Sequence, residues 1–137
     1  MFRHKLEIVV DPELETNVAK SYEIVQKSAE GDLPVYGVNT GFGKLANKII
    51  PSEDREQLQK NLVLSHCAGI GEPLPEDVTR LMMVLKIVSL SLGASGVKWS
   101  TIKQIERIIN SGIVPEIPHQ GSVGASGDLA PLAHMAC

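Results

Sequence analysis

The sequence of 137 residues has few cysteines and no long apolar segment. Its two cysteines, Cys67 and Cys137, are too few for the disulfide framework of a small secreted domain, which favours a reducing compartment such as the cytoplasm. Residues 81–92 form the most apolar segment, which contains Lys86 and is shorter than the roughly 18 apolar residues of a membrane span. The apolar run at residues 6–10 is too short for a signal peptide. We therefore expect a soluble, cytoplasmic protein with no membrane partner.

The sequence also lacks an excess of positive charge. It has 13 Lys and Arg residues against 16 Asp and Glu residues, a net charge of −3, and no basic block. This balance argues against nucleic acid as a partner, because phosphate binding depends on clustered positive charge. The hydrophobic fraction of 43% and the charged fraction of 21% are typical of a chain that folds, and the length suits one domain.

Apolar residues at helical spacing predict a mostly α fold. Ser52 is the expected N-cap of the second helix, and the third helix has apolar residues on every face, so we expect it to be buried nearly all round. The four predicted helices span residues 13–30, 52–68, 78–92 and 100–111.

The segments between these helices have their own signals. Residues 6–10 are compatible with a short N-terminal strand or an extended arm, and residues 33–47, with three glycines, predict an ordered loop. Pro115 and Pro118 predict an extended passage into the glycine-rich segment at residues 121–128.

A fifth helix is predicted after Asp128, a good N-cap residue. It reaches Cys137 without a capping residue and is almost wholly apolar, so it needs a partner surface. We expect residues 1–137 to be the N-terminal segment of a longer protein, interrupted within this helix.

Three common glycine motifs do not explain the sequence. Residues 38–45 lack the first glycine and the final Ser or Thr of a P-loop. Residues 41–46 match a dinucleotide fingerprint, but Pro51 ends any following helix. Residues 124–127 lack the spacing of a nucleophile elbow, and an anion-binding or capping loop is the simplest alternative there.

Two longer motifs resemble one enzyme family. The segment Gly121-Ser-Val-Gly-Ala-Ser-Gly-Asp-Leu-Ala-Pro-Leu-Ala-His134 is similar to the signature of the aromatic amino-acid ammonia-lyases, and Tyr36-Gly-Val-Asn-Thr-Gly-Phe-Gly43 is similar to their tyrosine loop. The pair Ser65-His66 resembles the branch that acts on histidine. This resemblance implies the N-terminal portion of the helical, L-aspartase-like fold of the family, whose enzymes are homotetramers.

The resemblance assigns a prosthetic group to Ala125, Ser126 and Gly127. In the family, the glycine nitrogen attacks the alanine carbonyl carbon, and loss of two waters gives the electrophile 4-methylidene-imidazole-5-one (MIO). Glycine suits the attacking position because it lacks a crowding Cβ, and the serine hydroxyl is lost to form the methylene. A second Ala-Ser-Gly, at residues 94–96, lacks the flanking motif and is expected to be an ordinary helix-ending turn.

The resemblance also implies roles for Tyr36 and His66. Tyr36 matches the base that removes the substrate β-proton, where a buried tyrosine packing its loop is the structural alternative. His66 matches a contact for the substrate imidazole, where a core histidine is the alternative. His119 and His134 are expected to be structural, and no histidine or cysteine pair has the spacing of a metal site.

The function implied is deamination of L-histidine to trans-urocanate and ammonia by a homo-oligomeric enzyme. A lyase or aminomutase of the same family acting on phenylalanine or tyrosine is the first alternative. The second is a catalytically silent fragment that associates with itself through apolar surfaces. We expect the 137-residue chain to be inactive alone, with the Ala125-Ser126-Gly127 tripeptide uncyclised.

Overall fold

The computed structural model describes residues 7–124, 127 and 129–137. These residues form a mostly helical fold with one small antiparallel sheet, as the sequence predicts for the fold class. The helices are α1 (Glu15–Glu30), α2 (Ser52–His66), α3 (Glu76–Ser91), α4 (Trp99–Asn110) and α5 (Leu129–Ala136), and the strands are β1 (Ile70–Pro73) and β2 (Pro118–Gln120).

The core lies where α1, α3 and α4 meet. The apolar face of α4 is formed by isoleucines at helical spacing, of which Ile102 and Ile109 are almost fully buried. They pack with Val18 of α1 and with Met83 and Ile87 of α3. Helical periodicity thus predicts which residues form this core, because each helix turns one apolar face towards the other two.

Residues 7–10 cross α4 as an arm. The short strand expected at residues 6–10 is not formed by residues 7–10, and Leu6 lies outside the described residues. Ile8 donates its N–H to Asn110 Oδ1 (2.8 Å) and accepts from Asn110 Nδ2 (2.7 Å), and the Val10 N–H bonds to Glu106 (2.7 Å). Side chains of α4 therefore form the hydrogen bonds with the arm's backbone that a neighbouring strand would form in a sheet.

The sheet joins two segments that are distant in the sequence. In β1 and β2, Ile70 pairs with Gln120 and Pro73 with Pro118, and the Leu74 N–H extends the contact to the Ile117 carbonyl oxygen (2.7 Å). The sequence predicts only a break at residues 69–75 and an extended passage at residues 115–118. The sheet brings this passage, which leads into the glycine-rich segment, beside the end of α2.

The expectation that α3 is buried nearly all round is wrong for this chain. Its inner face carries Met83, Ile87 and Leu90, but the outer residues are exposed because the described elements cover only one side. The exposed apolar residues on the outer side include Val78 (44%), Leu81 (38%), Leu85 (57%) and Val88 (56%).

The start of α2 also differs in detail from the expectation. Pro51 occupies the N-cap position and Ser52 is the first helical residue, its hydroxyl donating to the Glu53 carboxylate (3.2 Å) rather than capping the helix. The fifth helix does begin at Leu129, whereas its expected N-cap, Asp128, lies outside the described residues.

Candidate functional site

The loop that carries Tyr36 is organised by the buried side chain of Asn39. Its Oδ1 accepts from the Val35 N–H (2.7 Å), and its Nδ2 donates to the carbonyl oxygens of Ser28 (3.3 Å), Gly31 (3.2 Å) and Leu33 (2.9 Å). These bonds fasten the loop to the end of α1. The sequence patterns do not single out Asn39. An amide side chain in a glycine-rich, apolar loop is nevertheless a signal, because a buried amide needs hydrogen-bond partners.

Tyr36 itself faces outwards from this loop. Its side chain is 63% exposed, and its ring contacts Phe42 edge-on, with centroids 5.7 Å apart and planes at 76°. The next residue, Gly37, has φ of +73°, a conformation that L side chains rarely adopt. Tyr36 is thus positioned by the loop but is not a buried packing residue in this chain, and its ring is open to a reacting molecule.

His66 is the last residue of α2 and is half-buried. Its Nδ1 lies 2.7 Å from the Leu62 carbonyl oxygen and 3.2 Å from Ser65 Oγ, which itself donates to the Leu62 carbonyl oxygen (3.0 Å). Because a carbonyl oxygen can only accept, this contact places the proton on Nδ1. In the neutral ring, Nε2 is then the acceptor nitrogen.

The segment that follows His66 packs directly on the segment before the candidate tripeptide. The Gly69 N–H donates to His134 Nε2 (3.0 Å) on α5. A Cβ on Gly121 would lie 3.2 Å from Gly69 Cα, and a Cβ on Gly69 would lie 3.2 Å from Pro118 Cβ. Glycine at both positions therefore allows the end of α2 and the glycine-rich segment to approach closely.

His119 and His134 both bond to backbone groups, in agreement with structural roles. His134 accepts from the Gly69 N–H, and His119 Nδ1 lies 2.8 Å from the Glu72 carbonyl oxygen, to which it donates. His119 thus joins β2 to β1, and His134 joins α5 to the segment before β1.

Of the candidate tripeptide, Ala125 and Ser126 lie outside the described residues, so their placement stays a prediction. Gly124 and Gly127, on either side of them, have φ of +64° and +94°. Gly127 lines a cleft of about 420 Å³ between α3 and the start of α5. The other lining residues are Leu74, Met82, Leu85, Lys86, Ser89, Ser122, Pro131 and Leu132, so Lys86 brings positive charge to this cleft.

The three described site residues do not touch one another. Within residues 7–124, 127 and 129–137, no hydrogen bond or ring contact joins Tyr36 to His66 or Gly127. The structure links His66 indirectly to the tripeptide region through Gly69, Gly121 and α5, while the Tyr36 loop is fastened to α1.

The second Ala-Ser-Gly, at residues 94–96, lies in the turn between α3 and α4, as expected. Its Gly96 has φ of +66° and donates its N–H to Ser21 Oγ on α1 (2.8 Å). This tripeptide therefore has a structural role, because it joins the turn between α3 and α4 to α1.

Two kinds of feature are absent from the described part of the chain. It contains no group of three His, Cys, Asp or Glu side chains placed to hold a metal ion. None of its helices is both long enough and apolar enough to cross a membrane.

Comparisons with known proteins agree on one family. The model of the aromatic amino acid lyase family matches residues 1–137. The histidine ammonia-lyase of Bradyrhizobium diazoefficiens is 54% identical over 128 residues, which are 93% of this chain and 25% of that protein.

Solved structures give the same result for the fold. Histidine ammonia-lyase from Trypanosoma cruzi aligns with a TM-score of 0.87 and 36% identity, covering 98% of this chain and 26% of its own. Tyrosine aminomutase from Streptomyces globisporus aligns with a TM-score of 0.88 and 35% identity, covering 98% of this chain and 25% of its own. The chain spans about a quarter of the length of these relatives, and it belongs to the aromatic amino acid lyase family.

Proposed function

We propose that this chain supplies part of the active site of a cytoplasmic histidine ammonia-lyase, which converts L-histidine to trans-urocanate and ammonia. The observation that carries the proposal is the arrangement of His66, whose Nδ1 is held by the Leu62 carbonyl oxygen. The 54% identity to a histidine ammonia-lyase supports the same substrate. The fold alone does not separate the candidates, since a tyrosine aminomutase aligns as closely as a histidine ammonia-lyase.

In this proposal His66 recognises the substrate imidazole. Its Nε2, the free acceptor of the neutral ring, takes a hydrogen bond from an imidazole N–H of the substrate. The bonds to Leu62 and Ser65 hold the ring in one orientation, so little side-chain entropy is lost on binding. A phenyl substrate has no N–H or O–H to donate and would leave the nitrogen unpaired.

Tyr36 is the proposed base that removes the β-proton of the substrate. Its exposed ring, held edge-on by Phe42, is accessible from outside the loop. A tyrosine acts as a base through its phenolate, which nearby positive charge favours. The Asn39 hydrogen bonds give the loop the rigidity that a positioned base requires.

The backbone beside Ala125 and Ser126 fits formation of the MIO group from residues 125–127. Gly124 and Gly127 both have positive φ, and an added Cβ at Gly124 would meet nothing within 4 Å, so these residues permit a tight turn without crowding. When formed, the group supplies an electrophilic methylene that activates the substrate amino group for departure. Lys86 adds positive charge to the cleft that Gly127 lines.

We also propose that the 137-residue chain by itself stays uncyclised and inactive, and that the complete enzyme is a homo-oligomer. The residues around the tripeptide support the first point, since Val123 is 86% exposed and Leu129 is 54% exposed. The exposed outer face of α3 supports the second, because apolar side chains of this kind need a covering surface.

The experiment uses a chimaera in which residues 1–137 replace the matching segment of the Bradyrhizobium diazoefficiens enzyme. The chimaera should convert histidine to urocanate, and an inactive chimaera would contradict the proposal. In the double variant Ser65→Phe/His66→Leu, kcat/KM for histidine should fall by roughly 100-fold, since one buried hydrogen bond is lost. The variant should gain activity on phenylalanine, measured as cinnamate.

Gln59→Leu is the matched control, because it replaces an exposed polar residue of α2 with leucine away from the helix end. It should leave histidine turnover within about twofold. Unchanged histidine kinetics in the double variant would show that imidazole recognition lies elsewhere in the enzyme.

A further inference from the structure

The two cysteines, 70 positions apart in the sequence, lie side by side in the fold. Cys67 directly follows α2 and Cys137 directly follows α5, and their Sγ atoms are 2.9 Å apart. Backbone hydrogen bonds hold both residues at the ends of their helices, from the Cys67 N–H to the Val63 carbonyl oxygen (3.1 Å) and from the Cys137 N–H to the Ala133 carbonyl oxygen (3.0 Å). The fold itself therefore sets the distance between the two thiols.

A second contact beside the thiols maintains this arrangement. The Gly69 N–H, two residues after Cys67, donates to Nε2 of His134, three residues before Cys137 (3.0 Å). A disulfide requires an S–S distance of about 2.05 Å, so closure needs the two sulfur atoms to approach by about 0.9 Å. Side-chain rotation at the ends of two helices can supply such a movement.

The pair is also accessible to a reagent. Cys137 is exposed and Cys67 is half-buried. Cys137 lines an open cleft of about 540 Å³ together with His134, Glu116 and the end of α5. A small molecule can therefore reach the Cys137 sulfur without unfolding the chain.

We propose that Cys67 and Cys137 form an oxidisable dithiol site, in which a low-molecular-weight disulfide such as glutathione disulfide converts the two thiols into an intramolecular disulfide. This inference rests on the geometry of the thiols and is independent of the proposed activity. The new bond fixes the end of α2, one residue after His66, to the end of α5.

The reaction consists of two thiol–disulfide exchanges. The Cys137 thiolate attacks one sulfur of glutathione disulfide and expels a first glutathione thiolate, which leaves a mixed disulfide on Cys137. The Cys67 thiolate then attacks the Cys137 sulfur and expels the second glutathione. The two cysteine protons end on the two released glutathiones, the protein loses two electrons and the reagent gains two.

The order of attack follows from the surroundings of the thiols. The hydrogen bond with Cys137, together with burial, raises the pKa of the Cys67 thiol and so disfavours its thiolate. The exposed Cys137 is thus the first sulfur to react, and Cys67 acts as the resolving thiol once the mixed disulfide has formed.

The test equilibrates the 137-residue chain with reduced and oxidised glutathione, in buffer and in about 6 M urea. The oxidised chain should be about 2 Da lighter than the reduced chain. Trypsin without reductant should release residues 61–80 joined to residues 108–137, each of which contains one cysteine. The equilibrium constant for disulfide formation should be roughly 100-fold larger in buffer, because only the folded chain holds the thiols together.

Cys67→Ser and Cys137→Ser are the control variants. Each leaves one thiol and should give only a mixed disulfide with glutathione. Equal equilibrium constants in buffer and in urea would overturn the proposal. Disulfides that form only between two chains would overturn it as well.

Discussion

At the scale of single residues, Asn39 shows how one buried amide supports the loop that carries Tyr36. It is fully buried and makes four hydrogen bonds to backbone groups of residues 28–35. In Asn39→Ala these backbone groups lose their partner, and buried polar groups without partners are costly. We expect the free energy of unfolding to fall by roughly 2 to 3 kcal/mol, measured by urea denaturation.

Asn47→Ala is the control for this prediction. Asn47 lies in the same loop but is exposed, so its replacement should change stability by less than about 0.5 kcal/mol. Equal effects of the two substitutions would show that the bonds of Asn39 do not hold the loop.

The candidate site residues differ in how far the sequence alone identifies them. Tyr36 and His66 lie in segments whose resemblance to the family is specific, so the sequence is enough to single out both. Asn39 lies in the same segment as Tyr36, but its role in holding the loop depends on carbonyl groups of the end of α1 and of the loop, which only the structure shows. The tautomer of His66 also depends on the structure, since it follows from the distance to Leu62.

At the scale of elements, the N-terminal arm is attached to α4 through a buried carboxylate. Glu106 is 6% exposed, accepts from the Val10 N–H and forms an ion pair with Lys103. Burial raises the pKa of this carboxyl, but the hydrogen bonds from Lys103 and Val10, with the charges of Lys103 and Arg107, outweigh burial and hold the pKa below its ordinary value. The charged form is thus favoured by folding.

This pKa shift predicts how the arm responds to pH. A lowered pKa in the folded state gives stabilisation that is present above the ordinary value of 4.5 and is lost as the pH falls through the lower folded value. At pH 7, Glu106→Gln should lower the free energy of unfolding by roughly 1 to 3 kcal/mol. The difference from the original chain should shrink as the pH is lowered from 7 to below 4.5, measured by urea denaturation at each pH.

Glu56→Gln provides the matched comparison for Glu106→Gln. Glu56 also pairs with a lysine on its own helix, Lys60 (2.8 Å), but both side chains are exposed. Its substitution should have a much smaller effect at either pH, because water and salt screen an exposed pair. A pH dependence equal to that of Glu106→Gln would show that burial of Glu106 is irrelevant.

The sequence predicts the helices well and the sheet poorly. Helices α1, α2 and α4 begin and end within about two residues of the predicted bounds, because local signals such as periodicity, Gly31 and Pro51 mark them. The pairing of β1 with β2 has no local signal, since both strands are short and contain proline. The two strands meet next to the place where α2 packs against α5.

At the scale of the whole molecule, the apolar outer face of α3 is exposed in a chain that spans about a quarter of the length of its relatives. All-round apolarity of a helix predicts burial from every side, but in the described residues the core that α1, α4 and the N-terminal arm form with α3 covers its inner face and leaves Val78, Leu85 and Val88 exposed. The error in the prediction for α3 thus has a physical cause. The apolar pattern of a helix indicates which of its faces need to be covered, whether or not one segment of the fold contains all of the covering residues.

The same lack of covering structure predicts the chemical state of residues 125–127. Ring closure must press the Gly127 nitrogen against the Ala125 carbonyl carbon, a strained approach that persists only when surrounding structure enforces it. Here Val123, Gly124 and Gly127 are exposed, so these residues are not enclosed by surrounding structure. The intact mass of the purified 137-residue chain should therefore equal the mass calculated from its sequence.

In the chimaera with the Bradyrhizobium diazoefficiens enzyme, the same segment should be about 36 Da lighter, which corresponds to two dehydrations. Ser126→Ala in the chimaera should abolish the deficit, whereas Ser95→Ala, in the turn after α3, should preserve it. A deficit of that size in the 137-residue chain itself would refute the claim that its own residues do not enforce cyclisation.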